Sequence, residues 1–149
     1  MGQIRMVFRV ACWTAVLLLL AACNGEPAPV RRVRAFHEAV NEIERIEAEG
    51  GVIDAPEGFR ALHAIYAEYT TTPQAPMTST TLAMAAGMVR FSNMTYELVS
   101  ESDGCAIVAV SGEAVIEENT SSFQGEYVVL QQAARWVIDL NATACPEGE

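Results

Sequence analysis

The sequence has no lysine, only two histidines and only four cysteines in 149 residues. The histidines are 26 positions apart and no Cys-x-x-Cys pair occurs, so the ligand spacing of a zinc site is missing. The sequence contains no G-x-S-x-G element, so no motif supports a serine hydrolase. It also contains no glycine-rich phosphate loop, so no motif supports nucleotide binding. We therefore expect no metal and no cofactor.

Positive charge is also scarce. Nine arginines face nineteen acidic residues, which gives a net charge of −10. An acidic protein is repelled by phosphate backbones, so we do not expect a nucleic-acid partner. The run of glutamates between Glu38 and Glu49 is spread along a helical pattern instead of a loop, so it does not predict a calcium site.

The N-terminus has the order of a secretory signal. Arg5 and Arg9 precede the apolar run 11–20, which is followed by Ala21, Ala22 and Cys23. The run is well short of the roughly 20 residues that span a bilayer as a helix. A membrane helix or a buried helix remains the alternative to a signal.

Leu20-Ala21-Ala22-Cys23 resembles the lipobox of bacterial lipoproteins. The resemblance implies removal of residues 1–22 as a signal peptide and lipidation of Cys23. It also implies a protein anchored to the cell envelope, at the outer membrane facing the periplasm if the host has two membranes. The mature chain of 127 residues then carries seven basic and nineteen acidic residues, a net charge of −12.

Behind Cys23, residues 23–30 contain Gly25, Pro27 and Pro29 and are predicted to be a tether, with residues 31–149 as one domain. Apolar residues at three- and four-residue steps predict a helix over 31–49 that stops at Gly50-Gly51. A second helix is predicted over 56–69, with Asp54 and Glu57 at capping-box spacing. A third is predicted over 82–89, capped by Thr80 or Thr81.

After Arg90 the apolar period changes from helical to two. The pattern predicts four strands, with a hairpin turn at Asp103-Gly104 between the first two. The predicted strands cover residues 94–98, 105–118, 123–132 and 136–141. Helices followed by strands predict an α+β domain with N-terminal helices packed on a four-stranded antiparallel sheet.

The opening Val33-Arg34-Ala35-Phe36, the segment 127–132 and the closing segment 136–140 with its Trp136 resemble the nuclear-transport-factor-2-like superfamily, which includes ketosteroid isomerase and SnoaL-type proteins. The likeness covers about residues 31–141, and the turn at Ala133-Ala134-Arg135 departs from it. The resemblance implies a curved, cone-shaped sheet whose mouth can hold a small apolar ligand. It does not imply one function, because such folds carry enzymes, binders and interaction modules.

Cys105 and Cys145 remain after processing. Export favours a disulfide between them, whereas a simple meander places them at opposite ends of the sheet, too far apart for a bridge. Both states stay open at this point.

Candidate catalytic residues are few. His63 and Tyr66 are neighbours on the second helix, and Asp139 lies on the last strand. Asp139 alternates with Trp136, so it faces solvent if the tryptophan faces inward. His37 lies off the stripe that ends in Ile43 and Ile46, and we expect it to be exposed.

The sequence thus predicts a membrane-anchored envelope lipoprotein whose domain is a non-catalytic module. Besides the bilayer that holds Cys23, its partner is a small apolar ligand or an envelope protein. The alternative is an isomerase- or cyclase-type enzyme with His63 or Asp139 as its base.

Overall fold

A computed structural model describes residues 25–45, 56–116 and 118–146. Within these residues, three helices precede four strands: α1 (Ala28–Asn41), α2 (Pro56–Tyr69) and α3 (Ser79–Ala85), then β1 (Val89–Ser102), β2 (Cys105–Ile116), β3 (Asn119–Gln132) and β4 (Arg135–Asp139). The strands form one antiparallel sheet in the order β1-β2-β3-β4. The prediction of an α+β domain with helices packed on a four-stranded antiparallel sheet is confirmed.

Helix α1 begins three residues earlier and ends eight residues earlier than the sequence pattern predicts. Pro29 lies in its first turn, where the missing N–H of proline costs no helical hydrogen bond. Val33, Phe36 and Val40 are buried against the sheet and α2. The chain leaves the helix at Glu42, so the predicted end at Glu49 is wrong, and Gly50-Gly51 lies outside the described residues.

Helix α2 has the predicted bounds, and α3 is shifted towards the N-terminus. The side-chain oxygen of Thr78 accepts a hydrogen bond from the backbone N–H of Thr81 and so caps α3. The side-chain oxygen of Thr81 in turn accepts a hydrogen bond from the backbone N–H of Thr78. The predicted caps Thr80 and Thr81 are therefore helical residues, while Asp54, the predicted cap of α2, lies outside the described residues. The two helices meet at Gly58, where an added Cβ would lie 1.7 Å from the Ala85 carbonyl oxygen.

β1 and β3 are longer than the alternation alone predicts, whereas β2 ends at Ile116 instead of residue 118 and β4 ends at Asp139 instead of residue 141. β1 and β2 pair from Ser102–Cys105 at the hairpin to Val89–Ile116 at the far end. Asp103 and Gly104 both have positive φ, as a two-residue hairpin turn of the Asp-Gly type requires. Residues 119–122, which separate the second and third predicted strands, belong to β3.

The two faces of the sheet differ. The inner face, which packs on the helices, carries Val108, Val110, Val129 and Ile138 into the core. Tyr96 and Tyr127 share this face, because they pair with Val110 and Val108 across the sheet. The outer face carries the intervening residues.

Cys105 and Cys145 form a disulfide with their Cα atoms 5.8 Å apart. The topological objection fails because β4 has only five residues and ends at Asp139, which pairs with Val128. Val128 in turn pairs with Ile107, two residues from Cys105, so the tail has only a short distance to cover. The bridge fastens the tail to the outer face of the sheet.

Candidate functional site

The polar centre of the domain is His37. Its side chain is buried, with 1% of its surface exposed, so the expectation of an exposed His37 is wrong. The physical reason lies in the spacing: Val30, Val33, His37 and Val40 follow each other at steps of three, four and three residues, which places His37 on the buried side of α1.

Both ring nitrogens of His37 are engaged by tyrosine hydroxyls. Nδ1 lies 3.1 Å from the hydroxyl oxygen of Tyr96 on β1, and Nε2 lies 2.9 Å from that of Tyr127 on β3. A neutral imidazole has one donor and one acceptor nitrogen, so one tyrosine donates to the ring and the other accepts from it. This arrangement, the His37 cluster, ties α1 to two strands of the sheet.

Aromatic rings enclose the His37 cluster. The ring centroid of Phe91 lies 4.3 Å from that of His37, and those of Phe36 and Phe123 lie 5.8 and 5.9 Å away. Burial among these groups lowers the pKa of His37 from 6.5 to about 4, because the charged ring cannot be hydrated there. His37 is therefore neutral at pH 7.

The same burial raises the pKa values of the neighbouring tyrosines, because it disfavours their charged form. Desolvation raises the pKa of Tyr127, and the nearby hydroxyls of Tyr66 and Tyr96 raise it further. The pKa values of Tyr66 and Tyr96 are also raised by burial. All members of the cluster are uncharged at neutral pH, which suits hydrogen bonding inside a low-dielectric core.

A small cleft of about 200 Å³ opens beside the cluster, between α1 and the first half of β1. His37 and Tyr96 are among its lining residues, and two of its other polar side chains, Arg34 and Asn41, already have partners. Arg34 binds the Glu26 carboxylate and lies over the Tyr96 ring, 4.6 Å from its centroid. Asn41 exchanges two hydrogen bonds of 2.8 Å with the backbone of Phe91. The volume is below the 300 Å³ or more typical of ligand pockets.

The three residues singled out from the sequence do not converge. His63 accepts a hydrogen bond at Nδ1 from the Ala75 backbone, 3.0 Å away, and so holds the loop after α2. Tyr66 is buried with its ring edge-on to Phe36 and belongs to the wall of the His37 cluster.

Asp139 lies on the outer face of the sheet, away from the His37 cluster. Its Oδ1 accepts from the backbone N–H of Asn141 and Ala142, at 3.0 and 3.2 Å. The carboxylate therefore shapes the turn that leads the tail back towards Cys105, and its hydrogen-bond partners within the described residues are these two backbone amides.

Two further observations concern the described part of the chain. None of its helices combines the length and apolar character needed to cross a bilayer. Its histidine, cysteine and carboxylate side chains form no group of three or more that could hold a metal ion. Comparison with family models, curated proteins and solved structures gives no match to this chain.

Proposed function

We propose that the chain is a lipid-anchored protein of the bacterial cell envelope whose domain is a non-catalytic binding or interaction module. The lipobox-like Leu20-Ala21-Ala22-Cys23 supports the anchor. The Cys105–Cys145 pair supports export, because disulfides persist in oxidising compartments outside the cytosol. Two acyl chains or more would give stable attachment, whereas one chain binds only weakly.

We also propose that the domain is a divergent member of the nuclear-transport-factor-2-like superfamily with a cone-shaped sheet. The order of three helices followed by a four-stranded antiparallel meander supports this relationship. Aromatic and aliphatic side chains fill the space between helices and sheet, which favours an interaction role over an open ligand pocket.

The observation that carries the non-catalytic role is the state of His37. A histidine that acts as a general base needs a ring nitrogen within reach of a substrate and a pKa near the working pH. His37 has both nitrogens engaged, is buried, and has a pKa of about 4. It acts as a structural crosslink between α1 and the sheet.

Acylation by diethyl pyrocarbonate tests this role, since the reagent modifies only reachable, unprotonated imidazoles. In the folded protein we expect rapid modification of the half-buried His63 and slow modification of His37. Peptide mass spectrometry after short exposure gives both rates in one sample. Equal modification rates would show that solvent and small molecules reach His37. That result would favour an isomerase- or cyclase-type enzyme over a non-catalytic module.

Fractionation tests the anchor. Replacing Cys23 by Ala should move the protein from the membrane fraction to the soluble fraction or leave it as an uncleaved precursor. Cys12→Ala, which changes a cysteine inside the apolar run, is the matched control and should fractionate like the unaltered protein. Unchanged processing and membrane attachment of the Cys23→Ala variant would contradict the lipoprotein assignment.

A further inference from the structure

A concave surface outside the His37 cluster lies on the outer face of the sheet. It encloses about 520 Å³ over the middle of β1, β2 and β3. This volume falls within the range of sites that take a drug-sized ligand or a few residues of peptide. We call it the outer trough.

The register of the sheet explains the shape of the outer trough. Ala109 on β2 pairs with Glu97 on β1 and with Glu126 on β3. One row further along, Ser111 pairs with Thr95 and Gln124 in the same manner. Small side chains on the central strand form the floor, and longer side chains on the flanking strands form the walls.

The walls of the outer trough carry negative charge only. Glu97 and Glu126 are exposed and stand on the two sides of Ala109, with their backbones about 10 Å apart across two strand spacings. The ion pairs among the described residues all use Glu26 or Glu68, so neither wall glutamate forms an ion pair there. No arginine lines the trough.

Both ends of the outer trough are defined by the fold. Towards Cys105, the next row contains Ile107 and the buried Val128, close to where the disulfide fastens the tail. Towards the other end, Glu113 is held by Asn93, whose Nδ2 lies 2.6 Å from its carboxylate oxygen. The open length therefore runs along the strand direction between these two rows.

We propose that the outer trough docks an extended, cationic segment of another protein, with one lysine or arginine side chain placed over Ala109 between Glu97 and Glu126. Two carboxylates on opposite walls can approach one ammonium or guanidinium group from both sides. Complementary charges across an interface contribute specificity as well as attraction. The inference rests on the proposed role as an interaction module and names the chemistry of its partner.

Peptide titration tests the docking. The full chain, purified in detergent, is titrated into a fluorescein-labelled (Lys-Thr)4 peptide, and binding is followed by fluorescence anisotropy. (Glu-Thr)4 and (Gln-Thr)4 peptides of the same length serve as charge controls. We expect saturable binding of the lysine peptide only, weakened as salt rises and screens the charges.

Variants locate the contact. The double variant Glu97→Gln/Glu126→Gln should weaken lysine-peptide binding at least tenfold. The pair Glu101→Gln/Glu118→Gln, which removes the same charge at exposed positions outside the trough, should change it less than threefold. Ala109→Leu places a larger side chain on the floor of the trough without changing its charge. This variant should also weaken lysine-peptide binding about tenfold, with an unchanged circular dichroism spectrum.

Three results would overturn the proposal. One is an absence of lysine-peptide binding up to about 1 mM, which corresponds to only about 4 kcal/mol of binding free energy. Another is an equal loss of binding in the two double variants, which would show that the peptide responds to the net charge of the protein and not to the outer trough. The third is a change of oligomeric state in Glu97→Gln/Glu126→Gln without a change in peptide binding, which would make a second copy the occupant. Each leaves the fractionation of Cys23→Ala unaffected, so failure of the docking is distinguishable from failure of the anchor.

Discussion

Acidification should destabilise the domain through His37. The unfolded ring takes up a proton near pH 6.5, whereas the buried ring resists protonation until about pH 4. Between these values the unfolded state binds more protons than the folded state. The free energy of unfolding therefore falls as the pH falls through this window, and the contribution of His37 is fully present above it.

The size of the effect follows from the two pKa values. Complete titration of a group shifted from 6.5 to about 4 corresponds to about 3 kcal/mol, at 1.36 kcal/mol per unit. At pH 5 the folded ring is still mostly neutral while the unfolded ring is mostly charged, which gives a loss of about 2 kcal/mol relative to pH 7.5. With a side chain that is 1% exposed, little solvent screening reduces this value.

Urea denaturation at pH 7.5 and at pH 5.0, without reductant, measures the change. His37→Gln is the matched comparison, because glutamine keeps a donor and an acceptor for Tyr96 and Tyr127 but does not titrate. Carboxylates titrate in both proteins, so the difference between their pH dependences isolates the histidine. Equal loss of stability in the two proteins between these pH values would refute the reasoning.

Three further substitutions test the packing and the caps. Gly58→Ala should lower the free energy of unfolding by about 1–3 kcal/mol or more in the same denaturation assay, because its Cβ would overlap the Ala85 carbonyl. The control Gly125→Ala, whose Cβ meets nothing within 4 Å, should change the free energy of unfolding by less than about 0.5 kcal/mol. Thr78→Ala should cost about 1 kcal/mol through loss of the α3 cap, and Thr78→Ser should restore most of it. Asn41→Ala should speed amide hydrogen exchange at the start of β1, since two hydrogen bonds to that strand are lost; unchanged exchange would contradict the assigned role.

The helices show what periodicity predicts and where it fails. The bounds of α2 follow from its apolar steps and from Pro56 in its first turn. In α1 the apolar steps continue through Ile43 and Ile46 in the sequence, but the helix ends at Asn41, where the side chain turns to the β1 backbone.

The His37 cluster could be found only in part from the sequence. The steps from Val30 to Val40 place His37 on the buried side of α1, a signal that the longer stripe through Ile43 and Ile46 concealed and that led to the wrong expectation of an exposed ring. Its partners are 59 and 90 residues away in the chain, on β1 and β3, and bulges in β1 shift the register of that strand on β2. Local patterns do not determine that register, so the contacts with Tyr96 and Tyr127 could not be predicted.

The disulfide was left open for a similar reason. In a meander, the start of the second strand and the end of the fourth lie at opposite ends of the sheet only if all strands have similar lengths. β4 stops after five residues, and Asp139 turns the chain through bonds to Asn141 and Ala142. The length of the last strand and the direction of the tail depend on this turn.

The proposed anchor and export are tested together by the intact mass of the protein isolated from the membranes of its bacterial host. The account predicts a chain that begins at an acylated Cys23 and is two hydrogens lighter than its reduced form, owing to the Cys105–Cys145 bridge. A chain that still begins at Met1, carries no acyl mass and has two free thiols at these positions would contradict it.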